Sequence, residues 1–173
     1  AVDGTVEVSV CFADLVEFTK LGEELATEEL GLVAGRLEEM ATEVAEPPVR
    51  LVKTIGDAAM LVSTEAEPMV EAALGLVEAA EQASEGFPSL RAGVACGSTL
   101  AQAGDYYGRP VNLASRITGI AKPGSVLIDS AVKEAAGESF AYSFAGGVRL
   151  KGFPSPSNLF RVPHSIKGGS ATF

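Results

Sequence analysis

Residues 49–62, VRLVKTIGDAAMLV, contain two short apolar runs separated by a tight-turn signal. The runs Val49–Ile55 and Ala58–Val62 are rich in aliphatic residues, and Gly56-Asp57 lies between them. Two such runs joined by a glycine-containing dipeptide are typical of an antiparallel β-hairpin. The stretch therefore predicts a hairpin with Asp57 at its tip.

The segments on either side of this hairpin alternate between strand and helix patterns. Before it, Thr5–Phe12 is rich in β-branched residues and predicts a buried strand. Gly22–Val44 has apolar residues at helical spacing and ends before Pro47-Pro48. After the hairpin, Thr64 resembles the N-cap of a second amphipathic helix.

The second half of the chain predicts a further hairpin, a helix and three more strands. The predicted elements are strands Leu90–Cys96 and Thr99–Ala103 around Gly97, a helix at Gly108–Ile120, and strands at Ser125–Asp129, Val148–Leu150 and Asn158–Val162. This order indicates an α+β fold: a ferredoxin-like βαββαβ core with extra strands, and helices on one face of a mainly antiparallel sheet. Residues 1–162 are predicted to form one domain, and residues 163–173, which show no periodicity, a C-terminal tail.

Composition and charge exclude several classes of partner. The 173 residues carry a formal net charge of -10 without a basic run, which argues against nucleic acid as a ligand. No stretch approaches the roughly 20 apolar residues that span a bilayer. Cys11 and Cys96 lie inside apolar segments, which indicates reduced core thiols in a cytoplasmic protein. Because the sequence lacks an initiator methionine, we expect a piece of a longer protein, with room for a regulatory domain outside this chain.

Several common catalytic devices are missing from the sequence. It contains neither a GxxxxGK[ST] phosphate loop nor a GxGxxG motif after a strand. The single histidine, His164, lies in the predicted tail. This position argues against a histidine general base, a histidine-containing triad and a histidine-rich zinc site. Carboxylates that act together with metal ions remain.

Two aspartates lie where strands of the predicted sheet end. Asp14 directly follows the first strand, and Asp57 occupies the hairpin tip. A carboxylate in such a position commonly solvates itself or caps the next helix. Two of them on neighbouring strands also suit a hard cation such as Mg²⁺, which takes a few carboxylates and completes its coordination with water and substrate phosphates. Both interpretations stay open at this point.

A third polar cluster lies in residues 105–116, DYYGRPVNLASR. If a helix begins at Gly108, Asn112 and Arg116 are four residues apart and share one helix face. The apolar neighbours Val111 and Leu113 predict that Asn112 is partly covered and needs polar partners. An ordinary solvated helix face is the alternative interpretation.

Taken together, these segments resemble the catalytic domain of the class III nucleotidyl cyclases. The resemblance rests on FADLVEFT at residues 12–19, KTIGDA at 53–58 and GRPVNLASR at 108–116, which occur in the family's order. It covers about residues 5–162. The compact sequence, with tight turns and without long insertions, looks like the bacterial single-domain homodimeric adenylyl cyclases.

The resemblance implies a metal-dependent reaction on a nucleotide. Members of the family hold two divalent metal ions, Mg²⁺ or Mn²⁺, on two aspartates, which correspond to Asp14 and Asp57, with the carbonyl of Leu15 as a further ligand. Two closely spaced metal ions lower the pKa of an attacking oxygen and neutralise a leaving group. The implied reaction converts ATP to 3′,5′-cyclic AMP and pyrophosphate through attack of the ribose 3′-hydroxyl on the α-phosphorus.

The same resemblance assigns roles to residues that contact the substrate. Arg116 would stabilise charge on the α-phosphoryl group, Asn112 would orient the ribose, and Lys151 would contact the terminal phosphates. Lys53 and Asp105 fall where the family places its base-reading pair. Lysine only donates and ionised aspartate only accepts, which suits the N1 acceptor and N6 donor of adenine. Guanylyl members tend to have glutamate at the first position and tyrosine where this chain has Ala59, so ATP is favoured over GTP.

The resemblance also implies an assembly. In the family each active site forms between two subunits: one supplies the metal aspartates, and the other supplies the base-reading pair, Asn112 and Arg116. This chain carries both sets, which predicts a symmetric homodimer with two composite sites. One departure is Glu17, at a position that is often glycine in related motifs, where a carboxylate weakens phosphate binding or points outward.

Two other classes of function stay open from the residues alone. A non-catalytic ferredoxin-like nucleotide sensor or dimerisation module is expected to lack some metal or transition-state residues, and none is missing here. A metal-dependent phosphohydrolase would use the same aspartates but has no need of Lys53 or Asp105.

Overall fold

The computed structural model describes residues 4–17, 22–83 and 86–163. Its strands are β1 (Thr5–Leu15), β2 (Val49–Ile55), β3 (Ala58–Ser63), β4 (Leu90–Gln102), β5 (Asp105–Tyr107), β6 (Val126–Asp129), β7 (Ser143–Val148) and β8 (Ser157–Arg161). Its helices are α1 (Thr27–Val44), α2 (Ala66–Glu81), α3 (Arg109–Ile120) and α4 (Ser130–Ala136). The predicted tail, apart from Pro163, lies outside the described residues.

Strand β1 lies in the middle of a sheet with the order β2-β3-β1-β4-β6-β8-β7, and β5 pairs with β4. It runs antiparallel to both β3 and β4, whereas β4 and β6 are parallel. Because both faces of β1 are covered in its middle, the consecutive residues Val8–Cys11 are all buried. The first four strands with α1 and α2 give the ferredoxin-like βαββαβ order, which confirms the predicted α+β fold.

The sheet has a hydrophobic core on each face. Cys11 and Ala13 of β1 pack in a cluster with α1, α2 and α4, whereas Val8 and Val10 pack with Leu113 and other residues of α3. The expectation that all helices cover one face is therefore wrong. Parallel strands need a crossover connection, and α3 makes the crossover from β4 to β6 on the face that α1 and α2 leave open.

The predicted turn at Gly97 is wrong, because β4 continues through this residue to Gln102. A Cβ atom at Gly97 would lie 3.0 Å from Cγ of Pro110, so this glycine makes room for the first turn of α3. The chain reverses instead at Ala103-Gly104, where both residues have positive φ, as in a tight hairpin turn. The reversal makes Asp105 the first residue of β5.

Two helix starts also differ from the sequence-based prediction. Helix α2 begins at Ala66 with Glu65 rather than Thr64 as its N-cap, and the side chain of Glu65 makes no capping hydrogen bond. The N–H of Glu65 donates to the hydroxyl of Ser63 at 3.0 Å. Helix α4 was not predicted. The side chain of Asp129 caps it by accepting a hydrogen bond from the N–H of Val132 at 3.1 Å.

The described part of the chain contains no helix that is long and apolar enough to cross a membrane. Both cysteines are free thiols, with Cys11 buried and Cys96 half-buried. Burial raises the pKa of Cys11 to about 12. Burial also raises the pKa of Cys96 to about 11, and the negative charges of Asp129 and Glu7 add to this effect. Neither thiol is activated as a nucleophile.

Candidate active site

The two aspartates of the first two motifs lie side by side at one end of the sheet. The Cα of Asp14 pairs with that of Ala58, the residue after Asp57. The N–H of Leu15 also donates to the carbonyl of Asp57 at 3.0 Å, which joins the end of β1 to the β2–β3 turn. Strand pairing between residues 44 positions apart therefore brings the predicted metal ligands together.

The electrostatics of this pair favour a cation. Burial raises the pKa of Asp57, and the negative charge of Asp14 raises it further, while its own backbone and Arg91 lower it. Carboxylate oxygens are the ligands that Mg²⁺ and Mn²⁺ prefer, and Mg²⁺ needs only one or two of them besides substrate phosphates. Within the described ranges, no group of three or more histidine, cysteine, aspartate or glutamate side chains is arranged so that it could hold a metal ion. The two carboxylates of Asp14 and Asp57 match the number that Mg²⁺ commonly takes from a protein.

Arg91 is a site residue that the sequence reasoning missed. It lies directly opposite Asp14 in the β1–β4 register. Its Nε donates to Oδ1 of Asp14 at 2.7 Å, its Nη2 lies 3.5 Å from Oδ2, and its Nη1 donates to the carbonyl of Gly119 at 3.0 Å. The available signal was a single arginine inside the otherwise uncharged strand Leu90–Gln102.

The chain after Asp14 turns through a residue with unusual backbone geometry. Glu17 is exposed and has φ of 60°, in the left-handed region that favours glycine. A non-glycine residue in this region stores about 1 kcal/mol of strain. Glycine would adopt this backbone geometry without that cost.

The predicted base-reading pair forms a direct contact within one chain. Nζ of Lys53 donates to Oδ2 of Asp105 at 2.6 Å. The other carboxylate oxygen accepts from the N–H of Tyr106 at 2.8 Å. The hydrogen bond from Lys53 and then that from Tyr106 lower the pKa of Asp105, so this carboxyl group is ionised at neutral pH.

In the described part of the chain, the remaining predicted residues contact neither the two aspartates Asp14 and Asp57 nor the Lys53–Asp105 pair. Asn112 and Arg116 lie on α3, and Lys151 lies in the turn between β7 and β8; all three side chains are exposed. Among the described residues, none of the three has a side-chain hydrogen-bond or ion-pair partner. The prediction that Asn112 is partly covered is wrong, because the apolar stripe of α3 turns Leu113 and Ile117 to the sheet instead.

Large apolar side chains are exposed beside the Lys53–Asp105 pair. Ile55, two residues after Lys53, is 53% exposed, and Tyr107, two residues after Asp105, is 50% exposed. Leu100, which pairs with Tyr107 across β4 and β5, is 43% exposed. Apolar exposure of this kind marks a surface suited to contact with another protein chain.

This chain is similar in sequence to a protein family and to several known proteins. The model of the adenylate and guanylate cyclase catalytic domain matches residues 2–163. The chain is 49% identical over 164 residues to the pH-sensitive adenylate cyclase MT1302 of Mycobacterium tuberculosis, with 92% of this chain and 41% of that protein covered. It is 44% identical over 123 residues to an adenylate cyclase of Streptomyces griseus, with 70% of this chain and 31% of that protein covered.

A solved structure supports the fold. The catalytic core of a rhodopsin-guanylyl cyclase with converted specificity, in complex with ATPalphaS, is similar with a TM-score of 0.87 and 24% identity, covering 93% of this chain and 98% of that one. The chain spans less than half the length of the two relatives named above. The match over nearly all described residues, together with these identities, establishes that the chain belongs to the adenylate and guanylate cyclase catalytic domain family.

Proposed function

We propose that this domain is an adenylyl cyclase, which converts ATP to 3′,5′-cyclic AMP and pyrophosphate with two divalent metal ions at sites shared by two copies of the chain. The observation that carries the choice of ATP is the 2.6 Å contact between Nζ of Lys53 and Oδ2 of Asp105. It presents a donor next to an acceptor, which matches the edge of adenine. Guanine presents the reverse pattern, with donors at N1 and N2 and an acceptor at O6. A lysine opposite position 1 and an aspartate opposite position 6 would therefore both face the wrong partner.

The acidic end of the sheet is proposed to hold the metal ions. Asp14 and Asp57 would supply the carboxylate ligands and Leu15 a carbonyl. When bound, the two ions supply charge neutralisation at the triphosphate and lower the pKa of the attacking hydroxyl. The pairing of Asp14 with Ala58 and the hydrogen bond from the N–H of Leu15 to the carbonyl of Asp57 join the two aspartates at one end of the sheet, which supports this assignment.

Arg91 would bind substrate phosphate at the same place. Its guanidinium donates to the carboxylate of Asp14 and to the carbonyl of Gly119. If Asp14 is a metal ligand, the ion and Arg91 would compete for its carboxylate. The guanidinium donors of Arg91 would then be available to phosphate oxygens. Guanidinium groups bind phosphate oxygens in a bidentate manner.

Three exposed side chains would complete the site, with Asn112 and Arg116 supplied by the second copy. Arg116 would stabilise the charge that develops on the α-phosphoryl group, Asn112 would orient the ribose, and Lys151 would contact the terminal phosphates. Their exposure and their lack of side-chain partners among the described residues support a role toward a ligand. The exposed apolar group Ile55, Leu100 and Tyr107 supports burial against another chain.

Product identification tests the reaction. Purified protein is incubated with ATP or GTP and with Mg²⁺ or Mn²⁺, and the products are identified by mass spectrometry. Cyclic AMP and pyrophosphate are expected from ATP, with much less cyclic GMP from GTP. Free phosphate without cyclic nucleotide would instead indicate a phosphohydrolase, and the absence of any turnover would favour a binding module.

A complementation experiment tests the shared site. Asp14→Ala and Arg116→Ala are each expected to abolish turnover when assayed alone. A mixture of the two inactive chains should regain part of the activity, because a heterodimer contains one site in which all the required groups are intact. No recovery in a sample with proven heterodimers would contradict the composite site, while the reaction itself could still be assayed in the wild-type protein.

A double substitution tests the reading of the base. Lys53→Glu combined with Asp105→Gly removes the donor and the acceptor that suit adenine. Turnover of ATP is expected to fall more than that of GTP, because the N1 and N6 positions of adenine lose their partners. An unchanged ratio between the two substrates would refute this assignment without affecting the metal site.

A further inference from the structure

Strand β2 contains an irregularity that changes where Lys53 points. Leu51 pairs with Leu61, but the next paired residue is Lys53, opposite Met60, so β2 has one residue more than β3 at this point. In a regular strand, side chains three positions apart lie on opposite faces. The additional residue of this β-bulge returns Lys53 to the face that carries Arg50.

The two basic side chains of β2 contact two consecutive residues of β5. Nη2 of Arg50 donates to the hydroxyl of Tyr106 at 2.7 Å, and its guanidinium carbon lies 5.5 Å from the centroid of that ring. Lys53 donates to Asp105, whose second oxygen accepts from the backbone N–H of Tyr106. Side chains therefore join β2 and β5 at two points, although these strands are not neighbours in the sheet.

A second point of attachment matters because β5 is held weakly by the sheet. It has three residues and pairs with β4 only over Leu100–Gln102. A lysine has a long flexible side chain, so one exposed ion pair fixes neither the direction nor the separation of the two charged groups. Two contacts separated along β2 restrict both.

We propose that Arg50 and Tyr106 are positioning residues that hold β5 against β2, so that Lys53 and Asp105 present their donor and acceptor in the arrangement that adenine requires. This inference rests on the proposed function, because it concerns the recognition of ATP. Arg50 and Tyr106 act through the pair and need no contact with the substrate. The ring of Tyr106 packs against the core cluster that includes Val8 and Met60, which anchors the contact to the body of the sheet.

Two single substitutions test the proposal. Tyr106→Phe removes only the hydroxyl group, and Arg50→Met removes the guanidinium but keeps an unbranched side chain. Each is expected to lower the ratio of kcat/KM for ATP to that for GTP by about 3- to 10-fold, mainly through KM for ATP. The double variant should match the single ones within about 2-fold, since all three lose the same contact. Arg50→Lys, which keeps a donor, should retain most of the selectivity.

A matched control separates positioning from a general loss of stability. Tyr142→Phe removes a tyrosine hydroxyl that donates to the carbonyl of Gly137 at 2.6 Å, outside this site. It is expected to lower the melting temperature slightly and to leave the ATP to GTP ratio unchanged. If Tyr106→Phe and Arg50→Met behave in the same way as this control, the positioning role is overturned.

A titration keeps the test independent of turnover. The carboxyl group of Asp105 is followed by NMR as the pH is lowered, in the wild type and in each variant. Loosening of the Lys53 contact should move the pKa of Asp105 up toward its ordinary value in Tyr106→Phe and Arg50→Met but not in Tyr142→Phe. If the wild-type protein makes no cyclic AMP, the proposed function fails and this titration alone decides the positioning role, which an unchanged pKa in every variant would refute.

Discussion

The two ion pairs of the site have similar lengths but very different supports. Asp14 and Arg91 lie opposite each other on β1 and β4, two long strands in the middle of the sheet, and Arg91 is also held by a carbonyl of α3. Lys53 and Asp105 come from the edge strand β2 and the three-residue strand β5. One pair is built on strand pairing, and the other mainly on contacts between side chains.

This difference separates the part of the site proposed for chemistry from the part proposed for substrate choice. A metal site tolerates little displacement of its ligands, and a pair fixed by the central strands meets that need. A base-reading pair on an edge strand can be changed without disturbing the core. We therefore expect substitutions at the first pair to affect turnover and those at the second to affect selectivity.

The largest effect on turnover is expected at the Asp14–Arg91 pair. Asp14→Asn keeps the size of the side chain but removes the charge, and turnover of ATP should fall on the order of 10³-fold, as for other groups that offset charge in a transition state. Steady-state kinetics with Mn²⁺ and Mg²⁺ measure this change. Glu39→Gln, on the exposed face of α1 beside Arg36, is the matched control and should leave turnover unchanged.

A smaller effect, confined to ATP, is expected at the Lys53–Asp105 pair. Lys53→Met should lower kcat/KM for ATP by about 10- to 100-fold, the range for loss of a charged hydrogen-bond partner, while GTP turnover changes little. Lys122→Met removes an exposed lysine elsewhere and should change neither substrate. An equal loss of kcat/KM for ATP and for GTP would contradict the proposal that the Lys53–Asp105 pair determines substrate selectivity.

Arg91 allows the competition at Asp14 to be measured directly. Arg91→Met should strengthen binding of Mn²⁺ in the absence of nucleotide by about 2- to 5-fold, because the ion no longer displaces a guanidinium worth up to about 1 kcal/mol. Isothermal titration gives this affinity. The same variant should bind ATP more weakly, and Arg36→Met is the control. Weaker binding of Mn²⁺ in Arg91→Met would contradict the competition.

The positive φ of Glu17, in the turn that follows Asp14, allows backbone strain to be tested. Glu17→Gly should raise the free energy of unfolding by about 0.5–1 kcal/mol, because glycine adopts the positive φ of this position without a steric cost. Glu17→Ala removes the same charge but keeps the Cβ atom and should not stabilise. Urea denaturation of both variants distinguishes backbone strain from charge.

The smallest effect concerns acid stability and the second pair. Lys53 lowers the pKa of Asp105 in the folded chain. A group with a lowered pKa stabilises the fold above its unfolded pKa, near 3.9, and this contribution is lost as the pH falls through the folded value. Between pH 5 and pH 2 the wild type should therefore lose slightly more stability than Lys53→Met. Urea midpoints across this range give the difference, and Lys122→Met should follow the wild type.

The sequence predicted local structure well where pattern and turn chemistry agree. The run 49–62 predicts both strands and the position of Asp57. The β-branched residues of Thr5–Phe12 predict β1, which continues to Leu15 and so includes Asp14. These features depend on residues close in sequence. The same reasoning failed at Gly97, because the approach of Pro110 that requires a glycine there is visible only once α3 is packed on the sheet.

The sequence predicted candidate site residues but not the contacts that they make. The motifs predicted Asp14, Asp57, Lys53 and Asp105, whereas Arg91 depends on the β1–β4 register, which a single sequence does not reveal. The bulge in β2 was equally hidden, because a strand with one additional residue has the same apolar character as a regular one. Long-range pairing thus supplies what local patterns lack.

One close approach fixes how far the site can be redesigned. A Cβ atom at Gly93 of β4 would lie 2.5 Å from the backbone nitrogen of Thr118 and 2.6 Å from its hydroxyl oxygen, so α3 packs against β4 without room for a side chain at residue 93. The hydroxyl of Thr118 also donates to the carbonyl of Phe12 in β1 at 3.1 Å. These two contacts fix the distance between α3, which carries Asn112 and Arg116, and strands β1 and β4. A redesign that changes how far these side chains extend toward a proposed nucleotide must therefore change the side chains, because the helix backbone has no room to move closer.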